Sequence, residues 1–376
     1  EYGEEINRGF FLRNGGYYWA VNDYMDLLFT GDIYSKGSWG VGVRSNYKIR
    51  YKMSGNLSFV YNSNVLGYKG FENYSKNKLF RFKWTHKQDT KAHPSISFNA
   101  NVDMSSSAYD KFNSYSANNY MSNTKQSSIS FSKFWPGTPF SLNMTLQHSQ
   151  NNRDSTITLT LPNLSFSMNR IYPLKRKNRT GKERFYEKIS ISYNMQSMNR
   201  ITTHEDSLLN IKFNKFDNGI RHSIPINANL KIFRYITLNP YFNFTDRMYF
   251  KQRNFYWDNV QAKPIENENY GFFNVWDYNT GAKFNTKIYG IWQYKSKKFQ
   301  ALRHVITPSV GIMYYPDFSA ERYKYHANYI TDIYYDQITG QYDTISSTYD
   351  KYRGYVYGSA PSSGAGSVRF NLNNNL

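Results

Sequence analysis

Apolar and polar residues alternate along most of the chain. From Ser95 to Met104 the even positions carry apolar residues and the odd positions carry polar ones, without an exception. Because successive side chains of a β-strand point to opposite faces of the sheet, this pattern predicts strands with one apolar and one polar face. The pattern recurs at 39–52, 57–61, 80–85, 129–134, 141–147, 189–196, 224–232, 236–244, 282–288 and 303–315. Apolar spacing typical of a helix is not sustained over any comparable length.

Strand length and connection length together indicate a membrane barrel. Several alternating segments reach the ~9–11 residues expected of a tilted membrane strand, whereas strands of soluble sandwiches are usually about five or six residues long. We expect long connections at 62–77, 105–125, 201–221, 251–271 and 316–352, and short ones at Asn22-Asp23, Ser54-Gly55, 88–93 and Pro136-Gly137. Outer-membrane barrels combine long external loops with short periplasmic turns.

The predicted fold class is therefore all-β. We expect residues 1–376 to form part of one large antiparallel transmembrane β-barrel of the bacterial outer membrane, with roughly fifteen strands and with the long loops outside the cell. Phe98, Ala100 and Val102 are expected to face lipid, and Asn99 and Asn101 the lumen.

One segment changes the phase of its alternation. Ile157, Leu159 and Leu161 occupy odd positions, whereas Leu164 and Phe166 occupy even ones. A β-bulge at Pro162-Asn163 produces such a one-residue shift. The alternative is a tight hairpin at this point, but its two arms would be too short to cross a bilayer.

Composition fits the same class. Aromatic residues make up 19% of the 376 residues, the mean hydropathy is −0.72, and there is no cysteine. No stretch approaches the ~18 consecutive apolar residues of a membrane helix. A barrel with aromatic girdles and a polar interior has this composition. A tyrosine-rich soluble β-protein remains the alternative. The chain opens without a signal peptide and stops inside an alternating run, so we expect a fragment of a larger protein.

The formal net charge is +20, which indicates an anionic partner. Lys and Arg are scattered along the strands, and the one dense basic run, Lys175 to Lys188, is interpreted as a solvated turn. This distribution favours an anionic lipid or glycan and argues against nucleic acid, which requires a clustered patch. The basic residues expected in the lumen are Lys48, Arg50, Lys52, Arg81, Lys83, Lys283 and Lys287. An ordinary solvated lumen, as in porins, explains the same residues.

Motifs for catalysis and metal binding are missing from the sequence. There is no nucleophile elbow, no P-loop and no dinucleotide fingerprint. The seven histidines lack the spacing of a metal site. We therefore predict no catalytic residue, no metal ligand, no cofactor and no enzymatic activity.

Two segments resemble a known family. The stretch Arg8–Tyr34, with Tyr17-Tyr18-Trp19 followed by Asn22 and Met25-Asp26, is similar to the start of the barrel in the LptD family of outer-membrane lipopolysaccharide assembly proteins. Leu302–Pro316, which begins LRHVITP, is similar to a second motif of that family. The stretches WPGTPFSLNM and RIYPLKRK resemble the branch found in Bacteroidetes-type bacteria.

The resemblance implies a function and partners. It implies transport of lipopolysaccharide through a lateral opening between the first and last barrel strands, an LptE-like lipoprotein that plugs the barrel, and a periplasmic bridge protein that supplies the lipid. It also implies a periplasmic jellyroll and closing strands, which we expect outside this chain. Gly16 stands where many members have Pro, and the cysteines of many members are missing.

A weak seam is expected at Asn14, Gly15, Gly16, Tyr17, Tyr18 and Trp19. Two glycines contribute no cross-strand side-chain pairs, which stabilise a sheet by roughly 0.2–1 kcal/mol each. We therefore expect this strand to separate easily, and replacement of Gly15 and Gly16 by Val and Thr to tighten it. Two alternatives to lipid export remain at this stage: a porin or other channel, and a secreted soluble β-protein that binds acidic glycan.

Overall fold

Strands make up most of the regular structure. The computed structural model describes residues 1–113, 123–178, 181–233, 235–293 and 301–375. Its strands are β1 (Tyr2–Glu5), β2 (Gly9–Asn22), β3 (Met25–Tyr34), β4 (Trp39–Ile49), β5 (Met53–Leu66), β6 (Ser75–Gln88), β7 (Ile96–Ser105), β8 (Thr124–Phe134), β9 (Phe140–Asn151), β10 (Thr156–Ile171), β11 (Ile189–His204), β12 (Asp217–Ala228), β13 (Leu230–Ile232), β14 (Ile236–Asp258), β15 (Lys263–Asn285), β16 (Ile288–Gln293), β17 (Ala301–Tyr315), β18 (His326–Asp336), β19 (Gln341–Asp350) and β20 (Ala365–Asn375).

Helical structure in these ranges is limited to short turns. One α-helix of five residues, α1 (Tyr109–Asn113), follows β7. The 3-10 turns are Phe185–Lys188, Glu205–Asn210, Phe213–Lys215 and Glu321–Tyr323. No helix of the described residues has both the length and the apolar character needed to cross a bilayer.

The strands pair in antiparallel fashion. Within the described ranges, eighteen strands belong to one sheet, and β18 and β19 form a separate hairpin. The predicted all-β antiparallel fold is thus confirmed, although the expected number of strands was too low. The chain divides into two compact units: unit 1 comprises 1–165 and 198–217, and unit 2 comprises 166–197 and 218–376.

Unit 1 contains a meander in which each strand from β2 to β9 pairs with the next. Residues paired directly across antiparallel strands lie on the same face of the sheet. One row across the meander is apolar: Phe29, Val43, Phe59, Phe82 and Met104. A row on the other face is polar: Asn46, Asn56, Thr85, Asn101, Ser128 and Gln147. The predicted separation into an apolar and a polar face is therefore confirmed in this unit.

One predicted turn was misplaced. Ser54 and Gly55 do not form a turn but lie in β5, opposite Lys48 and Tyr47. The chain reverses at 50–52, where Tyr51 has a positive φ of 59°. Because Ile49 pairs with Met53, the turn contains an odd number of residues and the alternation continues through it in phase. The alternation therefore does not indicate at which residues the chain reverses.

The phase change at Pro162 lies inside a single strand. β10 runs without interruption over 16 residues and includes a cis peptide bond between Leu161 and Pro162. The alternative of a tight hairpin at this point is wrong.

The central hairpin of unit 2 replaces a predicted loop. Residues 251–271 lie almost entirely in β14 and β15, which turn at 259–262. Lys251 pairs with Glu268 at 2.8 Å, and Arg253 donates to Glu266 at 2.9 Å. These strands are joined by cross-strand ion pairs and lack the regular apolar alternation of the other strands. Their sequence therefore has the composition of a loop.

The long segment after β17 folds against this hairpin. It was predicted as an unbroken loop over 316–352, but it contains β18 and β19. Its side chains build the core of unit 2, in which Tyr249 and Val275 are buried by Phe318, Tyr325 and Tyr352. Tyr325 also donates to the backbone oxygen of Trp276 and accepts from its amide. Tyr325 and Tyr352 of this segment therefore pack internally, whereas Tyr334, Tyr335 and Tyr342 are exposed.

Candidate functional site

Four basic side chains share the polar face of unit 1. Strand pairing places Arg44, Ser58, Lys83 and Asp103 in one row across β4 to β7. A second row contains Lys48, Ser54, Lys87 and Asn99. We call Arg44, Lys48, Lys83 and Lys87 the basic face. Arg44, Lys48 and Lys87 are exposed, and the Lys83 side chain is 45% exposed with its ammonium 3.7 Å from the Asp103 carboxylate.

Sequence reasoning found only half of the basic face. Lys48 and Lys83 were expected there, whereas Arg44 and Lys87 were missed. The signal was present, because Arg44 lies four positions before Lys48 and Lys87 four positions after Lys83 in the same alternation. Only the strand register shows that the four residues form two rows of one face, with a row of uncharged polar residues between them.

Arg81 lies on the same polar face but is engaged by carboxylates. Its guanidinium donates to both oxygens of Asp103, at 3.2 and 3.0 Å, and to Asp110 at 2.8 Å. The Arg81 side chain is 14% exposed. In this structure its charge is therefore neutralised rather than presented to a ligand.

The other predicted basic residues occupy different positions. Arg50 and Lys52 lie in the turn between β4 and β5, not on a strand as expected, because β4 ends at Ile49. Lys283 lies on β15 in unit 2, paired with Asn239 and Gly311. Lys287 lies between β15 and β16 and is exposed.

The predicted seam residues lie on β2. Gly15 pairs with Gly31 of β3, so no side chain is present on either strand at this point. A Cβ added to Gly15 would be 3.7 Å from the nearest atom, whereas one added to Gly16 would be 2.0 Å from the backbone oxygen of Phe29. The two glycines therefore have different roles: Gly16 permits a close backbone approach, and Gly15 leaves a position without packing.

A backbone irregularity precedes the glycines. Asn14 has a positive φ of 54°, and the register of β2 with β3 shifts between Leu12 and Gly15. The Asn14 amide donates to the carboxylate of Asp32 at 2.8 Å instead of to a strand partner. This is a bulge stabilised by an acidic side chain, and it interrupts the regular ladder beside the glycines.

The edges of β2 are paired unequally. One edge pairs with β3 as far as Asn22. The other edge pairs with β1 over Gly9–Leu12. Tyr17, Tyr18 and Trp19 follow this region and remain 67%, 59% and 49% exposed.

A cavity lies against the polar face beside this strand. It has a volume of about 780 Å³, and its lining includes Arg13, Asp32, Arg44, Asn62 and Tyr109. Its walls carry both charged and apolar groups, as a site for an amphiphile requires. In the part of the chain that the structure describes, no group of His, Asp or Glu is arranged to hold a metal ion.

Comparison with known proteins gives one finding on identity. The family model described as LptD protein matches residues 1–376. Comparison with curated proteins gives no match.

Proposed function

The chain belongs to the LptD family of outer-membrane β-barrel proteins that act in lipopolysaccharide transport, and from this premise we propose that it delivers lipopolysaccharide to the outer leaflet through a lateral opening at β2. The observation that carries the proposal is the basic face, four cations in two rows of one polar sheet face. Lipopolysaccharide carries anionic groups near its acyl chains, so its passage requires cations beside an apolar exit.

The β2 strand supplies the exit in this proposal. The Asn14 bulge and the Gly15–Gly31 pair weaken its pairing with β3. Tyr17 and Trp19 lie on the apolar face, because they pair with Phe29 and Leu27. Aromatic side chains favour the membrane interface, so they hold the end of the strand at headgroup level while the seam opens.

The partners follow from family membership. We propose an LptE-like lipoprotein as the plug, a periplasmic bridge protein as the source of lipopolysaccharide, and outer-membrane lipids around the apolar face. The long connections are proposed to lie outside the cell. Family membership favours lipid export over a porin or a soluble glycan-binding protein.

Charge reversal tests the proposed path. In a Lys48→Glu/Lys87→Glu variant we expect surface lipopolysaccharide to fall several-fold while the protein still folds, because the two side chains become repulsive to the anionic lipid. The matched control is Lys69→Glu/Lys91→Glu, which changes the net charge equally in connections outside the strands. An equal fall in both variants, or no fall in the first, would contradict the proposal.

A further inference from the structure

The segment that follows β7 folds back onto the polar face of unit 1. The β6–β7 pairing first extends by one residue pair beyond Arg81 and Ser105: the Phe80 amide donates to the Ser106 hydroxyl at 3.1 Å, and the Ser106 amide donates to the Phe80 oxygen at 3.0 Å. At the end of α1, the Asn113 side-chain oxygen accepts from Asn64 at 3.1 Å. The described part of this connection, 106–113, therefore covers part of the face that carries the cations.

A buried carboxylate holds this segment in place. Asp110 of α1 is only 4% exposed and accepts from Arg81 at 2.8 Å. It also accepts from the Lys125 ammonium at 2.6 Å, and the Lys125 side chain is 5% exposed. Two cations from two strands, β6 and β8, thus converge on one carboxylate.

The surroundings fix the cations more firmly than the carboxylate. Asp103 of β7 binds Arg81 through both oxygens and orients its guanidinium. The Lys125 ammonium also contacts the Ser105 hydroxyl, and the Gln150 side chain donates to the backbone oxygen of Ser105 at 2.7 Å. Asp110, by contrast, belongs to a five-residue helix in a connection. If one member of this group moves, it is Asp110, and the two cations stay in the sheet.

A buried histidine is linked to this group through Ser127, whose hydroxyl donates to the Asp103 backbone oxygen at 3.1 Å. His148 of β9 is 6% exposed, and its Nδ1 contacts the Ser127 hydroxyl at 3.2 Å. Its Nε2 is buried and has no hydrogen-bond partner among the described residues. The polar group around Asp103 therefore retains a buried ring nitrogen that no described residue satisfies.

We propose that Arg81 and Lys125 form a phosphate-binding site that Asp110 occupies as an internal ligand. The guanidinium and the ammonium bind a phosphate monoester of the transported lipid in the same way as they bind the carboxylate. Removal of one partner from a buried ion pair is strongly unfavourable, so Asp110 leaves only when another anion replaces it. The site therefore opens to a phosphorylated lipid and stays closed otherwise.

This inference rests on the proposed function and specifies the group of the lipid that the chain recognises. It also explains why Arg81 is neutralised although it lies on the same polar face as the exposed cations. The exposed cations of the basic face attract the lipid, and Arg81 with Lys125 binds its phosphate.

Binding of two lipids by the purified full chain tests the site. The probes are lipid A bisphosphate and the same lipid after removal of both phosphates. In Asp110→Asn, we expect affinity for the bisphosphate to rise on the order of tenfold, because two buried cations lose their internal ligand. Affinity for the dephosphorylated lipid should not change. Adding Lys125→Gln to Asp110→Asn should remove most of the gain.

Two further variants keep the test decisive. Asn113→Ala loosens α1 without changing a charge, and it should raise affinity for the bisphosphate in the same direction but less, even if Asp110→Asn folds poorly. Asp206→Asn changes the same charge in the turn after β11 and should have no effect. Equal changes for both lipids, or none in Asp110→Asn and Asn113→Ala, would overturn the site. Such a result leaves the charge-reversal outcome at Lys48 and Lys87 untouched, so the two proposals fail separately.

Discussion

Substitution of the two adjacent glycines of β2 should have opposite effects on stability. At Gly16 an added Cβ would lie 2.0 Å from the Phe29 oxygen and 3.1 Å from its carbonyl carbon. Both atoms are backbone, so the strands must move apart, and overpacking of this kind costs ~1–3 kcal/mol. At Gly15 the nearest atom is 3.7 Å away, so a side chain fits. Loss of chain entropy in the unfolded state then stabilises the Gly15→Val variant by ~0.4–1 kcal/mol.

The assay compares single variants. Gly15→Val and Gly16→Ala are heated in parallel, and the folded fraction is followed by gel mobility. Gly15→Val should melt above the wild type and deliver lipopolysaccharide more slowly, and Gly16→Ala should melt below it. The backbone contact at Gly16 therefore argues against the Thr half of the double replacement expected from the sequence. A Gly16→Ala protein as stable as the wild type would refute the close-approach interpretation.

Three other predictions concern the apolar face, the core of unit 2 and a connection. Val102, 6% exposed, lies on the apolar face, so Val102→Arg should cost about 2–4 kcal/mol and Asn101→Arg much less, as measured by heat denaturation. Arg247→Met leaves the carboxylate of Asp277, whose side chain is 7% exposed, without its cation. We expect the free energy of unfolding to fall by ~3–5 kcal/mol and residues 316–364 to be cleaved faster by protease. Unchanged proteolysis would contradict this prediction. Hydrogen bonds from Arg176 and from the Arg184 amide lower the pKa of Glu187 to about 2 from 4.5. The ionised carboxylate therefore stabilises the fold fully above pH 4.5, and this contribution is lost as the pH falls towards 2. A carboxyl titration of Glu187 by NMR with a midpoint near 4.5 would contradict this prediction.

The sequence was sufficient for the two faces of the sheet. Alternation predicts that Phe98 and Ala100 share a face, and the register confirms it by pairing them with Phe131 and Ile129. Alternation fails where polar side chains satisfy one another across strands, as Lys251 and Glu268 do. It also fails at turns with an odd number of residues, because the pattern passes through them unchanged.

The site required information that alternation does not contain. Lys83 and Arg44 are 39 positions apart by their numbers, and only pairing through Ser58 brings them into one row. The contact between Arg81 and Asp110 depends on a connection that folds back over the sheet. No periodicity describes such a connection, so the neutralisation of Arg81 could not be predicted.

The most direct test of lipid export along the polar face is photo-crosslinking in growing cells. A photoreactive residue is placed at Asn56, exposed on the polar face between the two rows of the basic face, or at Phe59, exposed on the apolar face. We expect lipopolysaccharide to be captured at Asn56, and chiefly membrane phospholipid at Phe59. Cells that export lipopolysaccharide normally and show no capture of it at Asn56 would contradict passage along this face.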